Sequence, residues 1–150
     1  MSADVIKAFY EAFSKRDAEG MVKHYADDVR FSDPVFQDLK GEEAKNMWRM
    51  LCERGKDLTV EVSNITASSA HWDATYTFSQ SGRKVFNQID ATFTFEGDKI
   101  KTHTDVFDLY KWTRMALGVP GVLLGWTPFF QRALRGKAVA GLREYTAKKR

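Results

Sequence analysis

The chain has 150 residues, the size of one domain with one core, and 43% hydrophobic with 29% charged residues marks an ordinary water-soluble globule without low-complexity segments or repeats. A single Cys52 excludes an internal disulfide, and Met1-Ser2-Ala3-Asp4 lacks the basic-then-apolar pattern of a secretory signal, so the expected location is cytoplasmic. The net charge of +3 hides an asymmetry: residues 1–110 carry 14 basic and 19 acidic side chains, net −5, whereas residues 111–150 carry 9 and 1, net +8.

Val5, Phe9, Ala12 and Phe13 recur at helical spacing and predict an amphipathic helix ending near Lys15-Arg16. Asp17 is placed to cap a short second helix over 18–25, closed by Ala26-Asp27-Asp28. Val29 to Asp33 reads as a strand stopped by Pro34, which leaves Asp33 at a strand end. After the turn at Asp38-Leu39-Lys40-Gly41, Ala44, Met47, Trp48, Leu51 and Cys52 mark the apolar face of a third helix, with Glu42 and Glu43 near its positive end. Cys52 on that face reads as a small buried thiol, since no basic neighbour at matching spacing would activate it.

From Leu58 the period changes to two, with strands over 58–67, 71–80, 84–96 and 99–109 separated by turns at Ser81-Gly82-Arg83 and Glu96-Gly97-Asp98. Helices followed by an antiparallel meander argue an α+β fold. Alternation puts Gln88, Asp90, Thr92 and Thr94 on one face, with Ile89, Ala91, Phe93 and Phe95 on the other. On the returning strand it groups Lys101, His103, Asp105 and Phe107. If the polar faces meet water, Asp90, His103 and Asp105 are surface groups; if the sheet curls around them, they form an acid/base cluster.

Beyond Tyr110 the chain reads as helix again. Trp112, Met115 and Ala116 fit a helix stopped by Gly118 and Pro120; Val122 to Trp126 is a short apolar piece; Pro128 opens a last helix to about Thr146. The apolar run from Met115 to Trp126 is broken by glycines and a proline and is too short to span a bilayer. With Phe129 and Phe130 it is nonetheless too apolar for water, so it is expected to cover something.

The order of elements and two strings resemble the nuclear transport factor 2-like superfamily, which includes SnoaL-like polyketide cyclases, ketosteroid isomerases and limonene epoxide hydrolase. The strings are Tyr25-Ala26-Asp27-Asp28-Val29-Arg30-Phe31-Ser32-Asp33-Pro34-Val35-Phe36, and Asn87-Gln88-Ile89-Asp90 with His103-Thr104-Asp105-Val106-Phe107-Asp108. The resemblance implies a curved sheet wrapped into a cone (a cystatin-like α+β barrel) over residues 1–110, with a ligand pocket inside and a homodimer across the outer face of the sheet. Residues 111–150 would be a basic helical extension packed on the same domain, plugging or covering the cone's mouth.

The resemblance also implies site residues. Asp33 is similar in position to the general base of ketosteroid isomerases and Asp90 to their protonated oxyanion-binding acid, while Phe9 stands where their tyrosine donor would be. Against limonene epoxide hydrolase, Asp90 and Asp105 resemble the carboxylate pair, Gln88 replaces the arginine between them, and Phe31 and Asp33 stand at the water-holding positions. His103, two residues from Asp105, is a candidate substitute cation or hydrogen-bonded partner. The expected catalytic set is therefore Asp33, Asp90, Asp105 and His103, in a pocket of Phe9, Phe31, Trp48, Gln88 and Phe107, without metal or cofactor.

Three classes of function fit: an acid/base isomerase, cyclase or hydrolase acting on a small hydrophobic molecule; a non-catalytic binder using the same pocket; and an interaction module using the basic tail. No nucleic-acid recognition motif accompanies that charge, and its alternation with Phe129, Phe130, Leu134, Val139, Leu142 and Tyr145 is that of an amphipathic helix docked on its own protein.

Overall fold

A computed structural model describes residues 2–148. The elements are α1 (Ser2–Ser14), α2 (Ala18–Val22), β1 (Tyr25–Ser32), β2 (Leu39–Lys40), α3 (Glu42–Arg54), β3 (Thr59–Ser63), β4 (Ser69–Phe78), β5 (Arg83–Glu96), β6 (Lys99–Val106), α4 (Leu109–Leu117), α5 (Val119–Leu124) and α6 (Pro128–Lys148). Asp17 caps α2 as expected, its carboxylate accepting from the Gly20 amide at 3.0 Å. That helix is shorter than its predicted span, however. It ends at Val22, and Tyr25-Ala26-Asp27-Asp28 already belongs to β1.

The six strands form one sheet in the order β2-β1-β6-β5-β4-β3. The meander from β3 to β6 is antiparallel, but β1 lies parallel to β6, so the sheet is mixed. The two-residue strand β2, read as part of a turn in the sequence, pairs with β1 through Phe31 and Leu39. Helices α1 and α3 cover the concave face of the curved sheet. Ile6, Phe9, Tyr10 and Phe13 from α1 and Ala44, Met47, Trp48 and Cys52 from α3 close the core against Phe31, Trp72, Ile89, Ala91 and Phe93. Cys52 is buried, and burial pushes its thiol up to about 11, the behaviour of an inert core thiol.

The C-terminal helices pack on the same body. Helix α4 lays Leu109, Trp112 and Ala116 over Val85 of β5, with Tyr76, Phe78, Phe107 and Leu134 around them. Leu142 of α6 reaches the main core, and Arg135 Nε donates to the Pro34 carbonyl at 2.9 Å. Helix α5 folds back on α4 because its inner side carries glycine: a Cβ at Gly121 would run into the Thr113 carbonyl, and one at Gly125 into the Thr113 side chain. Gly121→Ala is therefore expected to cost about 1–3 kcal/mol by overpacking, measured by urea denaturation. A loss below about 0.5 kcal/mol would mean that α5 is not held against α4.

Candidate functional site

The parallel pairing of β1 with β6 builds the site. Phe31 is in register with His103 and Ser32 with Thr104, so the next position along brings Asp33, just past the end of β1, beside Asp105. Across β5, Phe93 faces His103 and Ala91 faces Asp105. The row continues from Ala91 to Ala70 on β4, so the positions across the sheet from Asp105 carry small side chains.

His103 is fully buried in an aromatic cage, with ring centroids of Phe93 at 4.4 Å, Phe31 at 4.9 Å, Phe9 at 5.6 Å and Trp48 at 5.8 Å. Both of its ring nitrogens are engaged. Tyr25 Oη lies 2.8 Å from Nδ1, and Asp105 Oδ1 lies 2.8 Å from Nε2. Trp48 Nε1 donates to Tyr25 Oη at 2.7 Å and Trp72 Nε1 donates to Asp105 Oδ1 at 3.4 Å. The result is a line from Trp48 through Tyr25 and His103 to Asp105, a self-consistent network when the tyrosine proton is given to Nδ1 and the imidazole proton to Asp105.

Two polar groups at or beside Asp105 are uncommitted, and a third lies further along the same sheet face. Both hydrogen bonds to Asp105 fall on Oδ1, leaving Oδ2 for a ligand. The buried Tyr10 hydroxyl has no hydrogen-bond partner, and it lies near enough to Asp105 that the carboxylate's charge adds to the effect of burial in holding its proton well above the usual range. Asn87 is a buried polar residue of β5 on the same inner face as Ile89 and Ala91. An unpaired buried hydroxyl such as that of Tyr10 calls for an occupant such as water or a ligand.

Asp33 completes the set. Its Oδ1 accepts from the amides of Val35 at 2.7 Å and Phe36 at 2.6 Å. Burial pushes its carboxyl up to about 7, the charge of Asp105 pushes the same way, and the two amides hold it back. Tyr76 lies within the field of Asp33, and its hydroxyl accepts from Trp112 Nε1 at 2.7 Å, which ties the site to α4.

Not every expected residue joins this cluster. Asp105 pairs with Ala91, so Asp90 and Gln88 point to the opposite, outer face. The Asp90 side chain is 80% exposed and lies 2.8 Å from His71 Nδ1, while Asp73 lies 2.8 Å from Nε2. Those two hydrogen bonds raise the His71 pKa. Asp90 is therefore part of a surface triad, and exposed Gln88 accepts from Lys111 Nζ at 3.4 Å. Phe9, Phe31 and Trp48, expected to line a ligand pocket, are buried and pack their rings against His103. Phe107 is half-buried and touches both the main core and the α4 cluster.

Tyr10, Tyr25 and Asn87 were not among the expected residues. Tyr10, the neighbour of Phe9 on α1, is as buried as Phe9 because α1 presents a wide apolar face to the sheet. Asn87 carries a legible signal: it is the polar member of the alternating series Val85, Asn87, Ile89, Ala91, Phe93. Trp126 and Phe129, expected to cover the mouth, are 65% and 79% exposed, while Trp112 of α4 is buried against Val85.

A groove of about 730 Å³ lies elsewhere, between α2, α3 and α6. Its cation Arg49 is already paired, bonding Glu19 at 2.9 Å and Glu42 at 3.0 Å. Among the described residues no group of three or more His, Cys, Asp or Glu converges on a metal position.

A curved sheet enclosing carboxylates under two helices defines the class of cone-shaped α+β proteins with an interior site. The SnoaL-like domain profile matches residues 6–103, and the chain belongs to that family. Solved structures agree on the fold. An NTF2-like protein of unknown function from Burkholderia pseudomallei is 19% identical with a TM-score of 0.63, over 77% of this chain and 97% of the other. An LEH-like epoxide hydrolase of M. tuberculosis is 16% identical with a TM-score of 0.61, over 83% and 96%. AclR, a candidate hydroxylase from Streptomyces galilaeus, is 18% identical with a TM-score of 0.63 over 97% and 96%, a match long enough to take in the C-terminal helices. No curated protein matches the chain in sequence.

Proposed function

We propose that this protein is an acid/base enzyme acting on a small, mostly apolar molecule held between Asp33 and Asp105. The observation that carries the reading is the buried Tyr25–His103–Asp105 line, which ends in a carboxylate oxygen free to meet a ligand. Asp105 is the proton acceptor, and His103 and Tyr25 are positioning residues that fix its orientation. Asp33, with a pKa of about 7, gives or takes a proton near neutral pH, where an acid/base group works best. Tyr10 Oη and the Asn87 amide supply hydrogen bonds to a substrate oxygen. This is the arrangement wanted by an isomerase, cyclase or hydrolase without metal, and structural neighbours described as polyketide cyclase and epoxide hydrolase support it at the level of the fold. We place a homodimer contact on the outer sheet face, where Phe86 and Val106 are 45% and 61% exposed.

A second reading, ligand binding without turnover, is favoured by the Trp112–Tyr76 hydrogen bond that holds α4 over the mouth. Native mass spectrometry of the purified protein, before and after incubation with apolar epoxides and enones, tests both. The expected result is a bound small molecule that wild type converts and Asp105→Asn retains unchanged. Bound ligand that neither protein converts would select the binder, and no binding by either protein would overturn both readings.

A further inference from the structure

The Gly118-to-Phe130 segment displays apolar side chains in the open. Val119, Val122, Leu123, Leu124, Trp126 and Phe129 are between 46% and 79% exposed. Their exposure follows from the packing described above: glycines at 121 and 125 take the inner side of α5, so the large side chains have only the outside left.

The same tip has its backbone carbonyls satisfied from within. The final carbonyls of a helix ordinarily turn to water. Here Val122 O accepts from Tyr110 Oη at 2.7 Å, Leu123 O from Trp126 Nε1 at 3.1 Å, Leu124 O from Thr127 Oγ1 at 2.7 Å, and Gly125 O from Gln131 Nε2 at 3.0 Å. Four successive acceptors are closed by four side chains, and the Trp126 indole spends its only donor in doing so. Internal satisfaction of this kind is what a backbone needs when it leaves water for an apolar medium.

Charge indicates which medium. From 109 to 143 the chain holds six cations (Lys111, Arg114, Arg132, Arg135, Lys137 and Arg143) and no Asp or Glu. Among the described residues none of the six is in an ion pair, and Arg114 lies over the Tyr110 ring beside α5. An apolar projection with closed carbonyls, borne by helices that carry unpaired cations and no Asp or Glu from 109 to 143, complements an anionic lipid surface, where the side chains reach the acyl boundary and cations such as Arg114 and Arg132 meet headgroups.

We propose that α5 and the start of α6 form a tip that docks this protein on anionic membranes without spanning them. The test is co-sedimentation of the full chain with phosphatidylcholine vesicles with and without about one third phosphatidylserine, followed by tryptophan emission. Trp48, Trp72 and Trp112 are 1%, 5% and 8% exposed against 65% for Trp126, so a blue shift on binding reports the tip. The expected result is binding to the anionic vesicles alone, at least tenfold weaker for Leu123→Ser/Trp126→Ser, and weakened several-fold for Arg132→Glu or by raising salt. The salt titration uses unaltered protein and stands even if a variant folds poorly. Absence of binding to anionic vesicles overturns the proposal, as does a concentration-dependent dimer that Leu123→Ser/Trp126→Ser dissociates while vesicles bind neither form.

Discussion

Asp105→Ala is expected to lower the stability of the protein by about 3 kcal/mol, whereas Asp105→Asn lowers it by about 1 kcal/mol or less and abolishes turnover. The alanine variant removes the acceptor shared by His103 Nε2 and Trp72 Nε1, leaving two donors in surroundings where the side chains are at most a few per cent exposed. Each stranded donor costs about 1–3 kcal/mol, a large share of the 5–15 kcal/mol that holds a domain of this size together. Asparagine keeps an oxygen at the Oδ1 position for both donors but cannot accept a proton in catalysis. Loss of a positioned base lowers a rate by about 10²–10⁴. Urea denaturation and turnover of whichever compound the binding screen identifies separate the two roles. If Asp105→Asn is as unstable as Asp105→Ala, the carboxylate is a core strut; if it is stable and fully active, Asp105 is not the base.

The fate of Asp90 explains why half of the cluster was legible and half was not. Period-two alternation in β5 sorts its residues into two sets correctly, and the apolar set Ile89, Ala91, Phe93 faces inward as such sets usually do. The phase between neighbouring strands is another matter. On β6 the pairing shifts between Thr94 and Phe95, which takes up one extra residue at Lys101 and lets Ile100 share the buried side with His103. Strict alternation from the turn puts Ile100 opposite His103 and supplies no reason to match Asp105 with Ala91 in place of Asp90. Asp33, His103 and Asp105, which the structure brings near one another, stand out in the sequence because their strings resemble a family pattern. Tyr25 was hidden by a helix boundary drawn three residues too late, since Val22 and Tyr25 fit helical spacing until the strand pairing with β6 claims Tyr25. The tail repeats the lesson in another form: apolar residues predict burial, and only the glycine packing of α5 on α4 shows why Trp126 and Phe129 remain outside.

Asp33→Asn is expected to stabilise the protein at pH 8 and leave it unchanged at pH 3.5. Unfolded, this carboxyl ionises near its ordinary value of 3.8; folded, it keeps its proton until about 7. Between those limits the native state binds the extra proton, so wild-type stability from this group is complete below 3.8, falls as pH rises through the window, and is level above about 7. Full burial would make the loss about 4 kcal/mol; the half-buried position of Asp33 admits some water and brings it nearer to about 2–3 kcal/mol. Asparagine has no proton to lose, and its oxygen still accepts from the Val35 and Phe36 amides that shape the turn. Other titrating groups move both proteins alike, so the quantity to plot is the stability of Asp33→Asn minus that of wild type. That difference should climb between pH 4 and pH 7 and then level off. A flat line would place Asp33 in contact with water and remove it from the proton-transfer chemistry, leaving Asp105 to act alone. A climb would mean that Asp33 keeps its proton up to about neutral pH, where it can serve as either acid or base beside Asp105.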